Sequence, residues 1–240
     1  MFGNKKRSDA LMQTDKPVLS GKADNFLRSE SYKVVRTNIM FSLPKTDRGK
    51  VIGVTSSIPN EGKTTNSINL ALTFAQTGAK VVLIDCDLRK PRVHRYMKLE
   101  LGKGVSNYVC GYAEFEDILH KNVHTCLDVI TAGEYTMNPV EILTSDRFQE
   151  LVEQLSKSYD YVFIDTPPVS VVTDAVVVAQ YCSGIVVVAK AEYTTTDVLD
   201  YTIENLRKAD SKLLGFILTN IQDKRRPYRY DVYQKQYYNS

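Results

Sequence analysis

The stretch that decides the fold reads Ser57-Ile58-Pro59-Asn60-Glu61-Gly62-Lys63-Thr64-Thr65. An apolar run from Val51 to Thr55 precedes it, and a helical apolar pattern from about Lys63 to Thr77 follows it. In a strand-turn-helix of this kind, the turn points backbone amides at bound phosphates and the helix N-terminus adds positive potential. The stretch therefore predicts a phosphate-binding loop, although Ser57 stands where the usual pattern has its first glycine.

Each part of this loop suits a nucleotide triphosphate. Gly62 permits close backbone approach, Lys63 can reach the β- and γ-phosphates, and the Thr64 hydroxyl is placed to bind magnesium. An ordinary strand-turn-helix that begins with a lysine is the alternative, and the apolar periodicity after the loop favours the phosphate site. The predicted nucleotide-binding residues are Ser57, Pro59, Asn60, Glu61, Gly62, Lys63, Thr64, Thr65 and Asn220. Asn220 follows the last predicted strand, where P-loop proteins contact adenine, and a simple turn role fits it equally well.

Three aspartates follow apolar strands at points where a ligand site is expected. Asp85 and Asp87 come after Val81 to Ile84, and Asp165 comes after Tyr161 to Ile164. Ligands of open α/β sheets bind at the carboxyl ends of the strands, although each aspartate could instead cap a helix. Three such residues beside a P-loop predict bound ATP and Mg²⁺. The metal ligands are then Thr64, Asp85 and Asp165, and Lys63, Asp85, Asp87 and Arg89 form the catalytic group.

The rest of the chain alternates strand and helix patterns around one core. Strands are predicted near residues 51 to 55, 80 to 85, 127 to 131, 160 to 164, 184 to 189 and 213 to 219, and an amphipathic helix from about Phe26 to Phe41 precedes them. This alternation predicts an α/β fold of the P-loop NTPase kind, with a mainly parallel sheet covered by helices on both faces. We expect a flexible arm over residues 1–24, a single domain over 25–222 and a tail over 223–240.

Composition excludes several classes of protein. The chain has 240 residues, 43% of them hydrophobic and 25% charged, which is enough for one sizeable core. Cys86, Cys110, Cys126 and Cys182 lack paired spacing, so we expect reduced thiols in a cytosolic protein rather than a metal site. No stretch approaches the roughly 18 apolar residues that span a bilayer, and the three adjacent cations from Lys5 to Arg7 are too few to predict nucleic-acid binding.

Three motifs together resemble one family of enzymes. The loop written S-x-P-x-E-G-K-T-T, the element Asp85-Cys86-Asp87-Leu88-Arg89 and the element Asp165-Thr166-Pro167-Pro168 are similar to the Walker A, Walker A′ and Walker B motifs of bacterial tyrosine kinases (BY-kinases). The split CpsD/CapB form of the capsule and exopolysaccharide type matches best, over roughly residues 25 to 240. Gly133 to Leu143 resembles a further family element, G-x-x-x-x-N-P-x-E-[IL]-L. Asn60 departs from the glycine that many members have.

The resemblance implies an ATP-dependent protein-tyrosine kinase that forms a ring. Asp85 is the best candidate to accept the proton of a tyrosine hydroxyl, and Asp87 would support it or the metal. Arg89 would stabilise phosphate charge or hold a subunit interface, and the sequence does not decide between these roles. Glu30, Lys33 and Arg36 match the family's self-association helix, with Lys33 in place of the commoner arginine. Without the resemblance, these three residues predict a charged, solvent-exposed helix face with ion pairs within the helix.

The C-terminal tail is unusually rich in tyrosine. Tyr228, Tyr230, Tyr233, Tyr237 and Tyr238 fall among the last thirteen residues, close to several lysines and arginines. The family resemblance implies that this cluster is the autophosphorylation site, whereas composition alone fits a sticky interaction strand equally well. The family also implies other protein-tyrosine substrates, and a membrane-embedded activator of the polysaccharide co-polymerase type that recruits a cytoplasmic kinase to the inner face of the membrane.

Two alternatives remain at this stage. One is an ATPase switch of the MinD/ParA kind, which shares these motifs but usually carries an extra lysine early in the P-loop. The residues from Ser57 to Glu61 contain no lysine, and most such switches lack a tyrosine-rich end. The other is a non-catalytic adaptor that binds nucleotide only to set the conformation of an export partner.

Overall fold

The computed structural model describes residues 24–44 and 46–221. The strands are β1 (Lys50–Ser56), β2 (Val81–Asp85), β3 (Leu119–His124), β4 (Leu127–Ile130), β5 (Tyr161–Asp165), β6 (Gly184–Lys190) and β7 (Leu213–Thr219). The helices are α1 (Asp24–Ser42), α2 (Lys63–Ala75), α3 (Val93–Met97), α4 (Val105–Val109), α5 (Phe115–Ile118), α6 (Pro139–Thr144), α7 (Asp146–Ser158), α8 (Asp174–Ala179) and α9 (Thr196–Lys208).

The strands form one sheet in the order β3-β4-β2-β5-β1-β6-β7. Every pairing is parallel except that of β3 with β4. The predicted α/β class with a mainly parallel sheet is therefore confirmed. All six predicted strands are present, and α1 and α2 begin within two residues of the predicted positions.

Strand β3 is missing from the sequence prediction for a physical reason. Its sequence, Leu119-His120-Lys121-Asn122-Val123-His124, has no apolar run, and none of its side chains is fully buried. It lies at the sheet edge, antiparallel to β4, and the register is irregular between His120 and His124. A half-exposed edge strand does not produce the continuous apolar pattern that identifies the buried parallel strands.

The sheet is buried on both faces. Alternate residues of the central strands point to opposite sides: Ile52 packs with the buried face of α2, whereas Val51 packs with α7. On the α2 side, the Phe74 ring meets the Phe163 ring edge to face, with centroids 5.2 Å apart. This packing holds β1, β2 and β5 side by side, so their carboxyl ends share one edge of the sheet.

Helix α1 lies against α2 on the same face of the sheet. Ile39 is buried in the core on that side, whereas Val34 and Phe41 are exposed. Within the described residues, no helix is both long enough and apolar enough to cross a membrane. The predicted arm over residues 1–24 lies almost entirely outside the described part of the chain, as do all five tail tyrosines.

Candidate active site

The turn between β1 and α2 has the backbone of a phosphate-binding loop. Gly62 lies immediately before α2 with φ 91°, and Asn60 has φ 67°. Both values are in the left-handed region, which glycine adopts freely and asparagine adopts more readily than most other residues. The asparagine that replaces a family glycine therefore suits its position.

Hydrogen bonds within the loop hold its shape. The Ser56 hydroxyl donates to the Ile58 carbonyl oxygen at 2.9 Å, and the Ile58 amide donates to Glu61 Oε2 at 2.9 Å. Glu61 is buried, whereas Pro59 and Asn60 are exposed at the tip of the turn. Among the predicted nucleotide-binding residues, Glu61 thus stabilises the loop, whereas Pro59 and Asn60 face outward.

Asp165 is the centre of a dense group of donors. It ends β5 and pairs in register with Asp85 on the adjacent strand β2. Its Oδ2 accepts a hydrogen bond from the Thr64 hydroxyl at 2.7 Å and its Oδ1 accepts one from the Ser67 hydroxyl at 2.9 Å. Asp165 is fully buried, and burial raises its pKa although Lys63 and the Thr64 hydrogen bond oppose the shift.

Lys63 lies between two carboxylates. Its Nζ is 2.9 Å from Asp87 Oδ2 and 3.3 Å from Asp165 Oδ2. Burial would lower the pKa of this ammonium, but the charges of Asp165 and Asp87 outweigh burial and raise the pKa. Lys63 therefore remains cationic at the N-terminus of α2, where phosphates are expected.

Asp85 and Asp87 have different surroundings. Asp85 is fully buried; its Oδ1 accepts from the Asp87 amide at 3.1 Å, and its Oδ2 accepts from the amides of Arg92 and Val93 at 3.2 and 3.1 Å. Burial, followed by the charge of Asp165, raises the pKa of Asp85 to about 7, and Lys63 opposes the shift. Asp87 is slightly exposed and accepts from the Lys90 amide at 3.0 Å. Asp85 thus shapes the turn after β2, and Asp87 is the more accessible carboxylate.

The charge balance of this cluster fits a nucleotide with a divalent cation. Three aspartates surround the Lys63 ammonium, so negative charge exceeds positive charge in this cluster. Burial is the main cause of the raised pKa of Asp85 and Asp165, and neighbouring carboxylates add to it. Among the described residues, no three histidine, cysteine or acidic side chains are placed to hold a metal ion by themselves. This suits Mg²⁺, which uses one or two protein carboxylates and takes its other ligands from phosphates and water. The buried Ser57 hydroxyl also lacks a partner within the described part of the chain, which suits contact with a phosphate oxygen.

Arg89 makes a two-pronged ion pair with a residue that the motifs did not indicate. Its Nε and Nη2 donate to Asp174 Oδ2 and Oδ1 at 2.9 and 3.0 Å. The Asp174 side chain is fully buried at the start of α8, and the Arg89 side chain is 39% exposed. The hydrogen bond with Asp174 raises the pKa of Arg89. Arg89 thus anchors the turn after β2 to the segment that follows β5.

Comparison with known proteins identifies the family. A family model described as an AAA domain matches residues 49–215. Tyrosine-protein kinase YwqD of Bacillus subtilis is 39% identical over 193 residues, which cover 80% of this chain and 81% of that protein. Tyrosine-protein kinase CpsD of Streptococcus agalactiae is 34% identical over 195 residues, 81% of this chain and 84% of that protein.

The chain belongs to the bacterial tyrosine-protein kinases. Some relatives are much longer, since the kinase spans only 28% of tyrosine-protein kinase ptk of Acinetobacter johnsonii, at 35% identity over 206 residues.

Solved structures confirm the P-loop NTPase fold of the kinase. The chimerical protein CapA2B2 superposes with a TM-score of 0.75 and 34% identity, covering 79% of this chain and 83% of that chain. The cell division ATPase MinD of Pyrococcus furiosus superposes less well, with a TM-score of 0.60 and 25% identity over 71% of each chain. The predicted kinase family is confirmed, and the MinD-like proteins are more distant neighbours.

Asn220 lies at the same sheet edge as the P-loop of the kinase. It directly follows β7, is exposed and has φ 57°. Strand β6 lies between β7 and β1. Contact with adenine stays a prediction for this residue.

The proposed self-association residues have contacts within their own chain. Lys33 Nζ is 2.6 Å from Glu30 Oε1, which is the intrahelical pairing that the charged stripe predicts. Arg36 Nη1 donates to the Thr73 carbonyl oxygen at 2.8 Å, in the last turn of α2, where a cation offsets the helix dipole. A role for these residues between subunits stays a prediction.

A chain of hydrogen bonds connects α1 with the phosphate loop of the kinase. The Tyr32 hydroxyl donates to Asn66 Oδ1 at 2.8 Å, and Asn66 Nδ2 donates to the Gly62 carbonyl oxygen at 2.8 Å. Asn69 Nδ2 donates to the Tyr32 hydroxyl at 3.1 Å. The helix that matches the family's self-association element is thus two hydrogen bonds away from the loop.

Sequence reasoning missed several residues of this site. Ser67 lies inside the helical pattern of α2, where its hydroxyl gives no signal of the contact with Asp165. Asp174 had a usable signal, because it is an isolated acid in the apolar run from Val169 to Ala179. A buried carboxylate requires a partner, and this rule would have prompted a search for a cation such as Arg89.

Proposed function

We propose that the protein is an ATP-dependent tyrosine kinase that phosphorylates its own C-terminal tyrosine cluster. The observation that carries this proposal is the Lys63 ammonium, lodged between Asp87 and Asp165 at the N-terminus of α2 and beside the Thr64 hydroxyl. Phosphoryl transfer needs chiefly such an arrangement, in which positive charge and aligned donors meet the transferring group. The kinase names of the relatives supply the acceptor class.

The donor half of the reaction falls to residues of the P-loop and β5. Lys63 would reach the β- and γ-phosphates, the α2 N-terminus would contribute its amides, and Thr64 and Asp165 would hold Mg²⁺. The ion would supply positive charge that offsets the charge on the transferring group. The Thr64 hydroxyl oxygen and Asp165 Oδ2 are 2.7 Å apart, so the two groups assigned to the ion lie side by side.

The acceptor half falls to the two aspartates of the turn after β2. A tyrosine hydroxyl with a pKa of about 10 needs a base near neutral pH. Asp85 has the better-matched pKa, about 7, but both of its oxygens accept backbone hydrogen bonds. The Asp87 side chain is 8% exposed and adjoins the Lys63 ammonium, whereas Asp85 is fully buried. We assign proton acceptance to this pair, with Asp87 facing the tyrosine and Asp85 fixing the turn that presents it.

The phosphorylated tail would then act on assembly. Each modified tyrosine gains about −1.5 to −2 charges. Five such changes exceed the side-chain charge of the unmodified tail, which is +3 from the cations Lys224, Arg225, Arg226, Arg229 and Lys235 and the acids Asp223 and Asp231. Neighbouring tails would repel one another and release a ring held through Glu30, Lys33 and Arg36. Light scattering tests this step, because a phosphorylated sample should have a lower mass than a variant whose tail tyrosines are all phenylalanine.

The cellular role follows from the relatives. One relative is named as a putative tyrosine-protein kinase in the cps region of Klebsiella pneumoniae. We place this kinase in the cytoplasm, as a regulator of capsular or extracellular polysaccharide synthesis. A membrane-embedded polysaccharide co-polymerase would activate it and recruit it to the inner face of the membrane.

Intact-mass spectrometry tests the central claim. The purified chain is incubated with ATP and Mg²⁺, with and without a peptide from the cytoplasmic end of a co-polymerase, beside a Lys63→Met control. Stepwise phosphate additions that map to Tyr228, Tyr230, Tyr233, Tyr237 and Tyr238 and vanish in the control are expected. ATP hydrolysis without a mass gain would instead indicate a MinD-like switch, and the absence of both would indicate an adaptor.

A further inference from the structure

Strands from opposite sides supply the two flanks of the P-loop. Strand β1 leads into the loop, with β5 and then β2 on one side and β6 and then β7 on the other. The aspartates Asp85, Asp87 and Asp165 all come from the β5 and β2 side. In the proposed function, the phosphates lie over the loop and the acceptor tyrosine enters beside these aspartates. The nucleoside would then lie against the carboxyl ends of β6 and β7.

Glu61 connects the loop to that second side. Its Oε2 accepts a hydrogen bond from the Ile58 amide at 2.9 Å within the loop, and its Oε1 accepts one from the Thr194 hydroxyl. Thr194 lies in the segment between β6 and α9, and its oxygen also accepts from the Lys190 amide at 2.9 Å. One buried carboxylate thus joins two segments that are 133 positions apart in sequence.

The backbone of Glu61 makes a second connection, to the end of β7. The Thr219 hydroxyl donates to the Glu61 carbonyl oxygen at 3.1 Å and to the Ala189 carbonyl oxygen at 3.3 Å. The Ala191 amide donates to the Thr219 carbonyl oxygen at 3.0 Å. Asn220, the predicted adenine contact, is the next residue along the chain.

A carboxylate in a phosphate-binding loop has an apparent disadvantage. Its negative charge lies close to the site of several phosphate charges, and like charges repel. Glu61 is only 1% exposed, and within the described part of the chain its carboxylate accepts hydrogen bonds from the neutral Ile58 amide and Thr194 hydroxyl. A residue that costs electrostatic energy at this position must contribute through geometry.

We propose that Glu61 is a positioning residue that closes the nucleoside side of the site. Its contacts with Thr194 and Thr219, the Glu61 clasp, fix the β6–α9 segment and the end of β7 against the P-loop. Closure of this side slows nucleotide release without acting on the transferring phosphate. The inference rests on the proposed function, because it takes the bound ligand to be ATP or ADP.

Substitution of Glu61 by glutamine separates geometry from charge. If the charge of Glu61 mattered most, Glu61→Gln would remove repulsion and tighten nucleotide binding. A glutamine amide has only one oxygen, so it cannot accept hydrogen bonds from Ile58 and Thr194 in the present arrangement. The clasp therefore predicts that Glu61→Gln binds nucleotide more weakly, whereas the charge explanation predicts tighter binding.

The experiment measures release of a fluorescent ADP analogue by stopped flow, together with the KM for ATP and kcat for autophosphorylation. Glu61→Gln and Thr194→Val should each release the analogue about tenfold faster, because each breaks a hydrogen bond of the buried Glu61 carboxylate. Thr194→Val also removes the acceptor of the Lys190 amide. The KM should rise with the release rate in both variants, and kcat at saturating ATP should change less than about twofold in Thr194→Val. Thr194→Ser keeps the hydroxyl and should restore slow release. Thr196→Val, an exposed site two residues further on, is the matched control.

Hydrogen exchange of the nucleotide-free protein is a second test, which does not depend on ATP binding. Loss of the clasp should speed exchange of the backbone amides from Ala191 to Thr195 in Glu61→Gln and Thr194→Val but not in Thr196→Val. Lys190 is left out of the comparison because its amide donates directly to the Thr194 hydroxyl. Tighter binding by Glu61→Gln, or unchanged release and exchange in Thr194→Val, would overturn the inference. If the wild type binds no nucleotide, the proposed function fails, and the exchange measurement still decides whether the clasp exists.

Discussion

The two sides of the phosphate loop use different chemistry for different ends. The carboxylate side, Lys63 with Asp85, Asp87 and Asp165, places three carboxylates around one ammonium, and burial raises the pKa of Asp85 and Asp165. The hydroxyl side, Glu61 with Thr194 and Thr219, matches its single carboxylate with neutral donors. Unbalanced charge is useful where charge moves during a reaction, and neutral hydrogen bonds suffice where only shape must be held. The comparison implies that changes on the carboxylate side should affect turnover and changes on the hydroxyl side should affect binding.

The largest effect is expected from Lys63→Met. It removes the only ammonium of the carboxylate side, and loss of one such stabilising group costs about 10²- to 10³-fold in kcat. Autophosphorylation measured by intact mass over time gives the rate. Lys63→Arg is the matched variant, and it should also be impaired because a planar guanidinium does not replace a compact ammonium between two carboxylates. A kcat within about tenfold of the wild type in Lys63→Met would contradict the assignment of this side to turnover.

The next effect is a dependence of stability on pH that originates at Asp85. Its pKa is raised from 3.8 to about 7, so the folded state binds this proton more tightly than the unfolded state. The contribution to stability is present below the unfolded value and is lost as the pH rises through about 7. The free energy of unfolding should therefore fall over that window in the wild type and fall less in Asp85→Asn.

Urea unfolding at a series of pH values, with EDTA to remove metal ions, measures this difference. The test compares how steeply the free energy of unfolding changes with pH in each variant. The absolute values are not compared, because Asp85→Asn also disturbs the hydrogen bonds from backbone amides to this side chain and lowers stability at every pH. Asp47→Asn, at an exposed position, should keep the wild-type slope. Equal slopes in the wild type and Asp85→Asn would contradict the raised pKa.

A smaller effect is expected where the turn after β2 meets α8. Asp174→Ala leaves Arg89 partly solvated and should cost about 1–3 kcal/mol of stability, reduced from the cost of a fully buried pair by the exposure of Arg89. Because Arg89 anchors the turn that carries Asp85 and Asp87, kcat should fall with little change in the KM for ATP. A double-mutant cycle with Arg89→Ala isolates the pair. Additive losses in stability and kcat would indicate that the two residues act independently.

The sequence was sufficient for the carboxylate side because its signals are local. The P-loop is one continuous stretch, and the three aspartates lie at or just after the ends of apolar strands, so parallel pairing brings them to one edge of the sheet. The register of Asp85 with Asp165 bears out that reasoning. The same locality explains why the six apolar strands were predictable and the polar edge strand β3 was not.

The hydroxyl side and the supporting contacts depend on pairs that are distant in sequence. Thr194 is an ordinary loop threonine until the fold places it against Glu61, and Arg89 meets Asp174 across 85 positions. The sequence around a hydroxyl or a single charged residue does not indicate its partner, since many residues of the same type are simply solvated. These contacts form only once the sheet order is set.

The smallest effect is expected at the hydrogen bonds between α1 and the loop, which lie on neither side. Tyr32→Phe removes the hydroxyl that bonds to Asn66, and Asn66 in turn holds the Gly62 carbonyl oxygen. A neutral hydrogen bond contributes about 1 kcal/mol, and only part of that reaches the loop through a second residue, so nucleotide affinity should fall about threefold. Titration with the fluorescent ADP analogue measures the nucleotide affinity, with Tyr112→Phe, at an exposed tyrosine, as the control.

Nucleotide binding and assembly are reciprocally linked if α1 also forms the subunit contact. Tyr32→Phe would then weaken the effect of nucleotide on oligomeric mass by a similar factor. Unchanged affinity with a normal melting temperature would mean that α1 supports the loop only as packing, and that assembly reaches the site by another route.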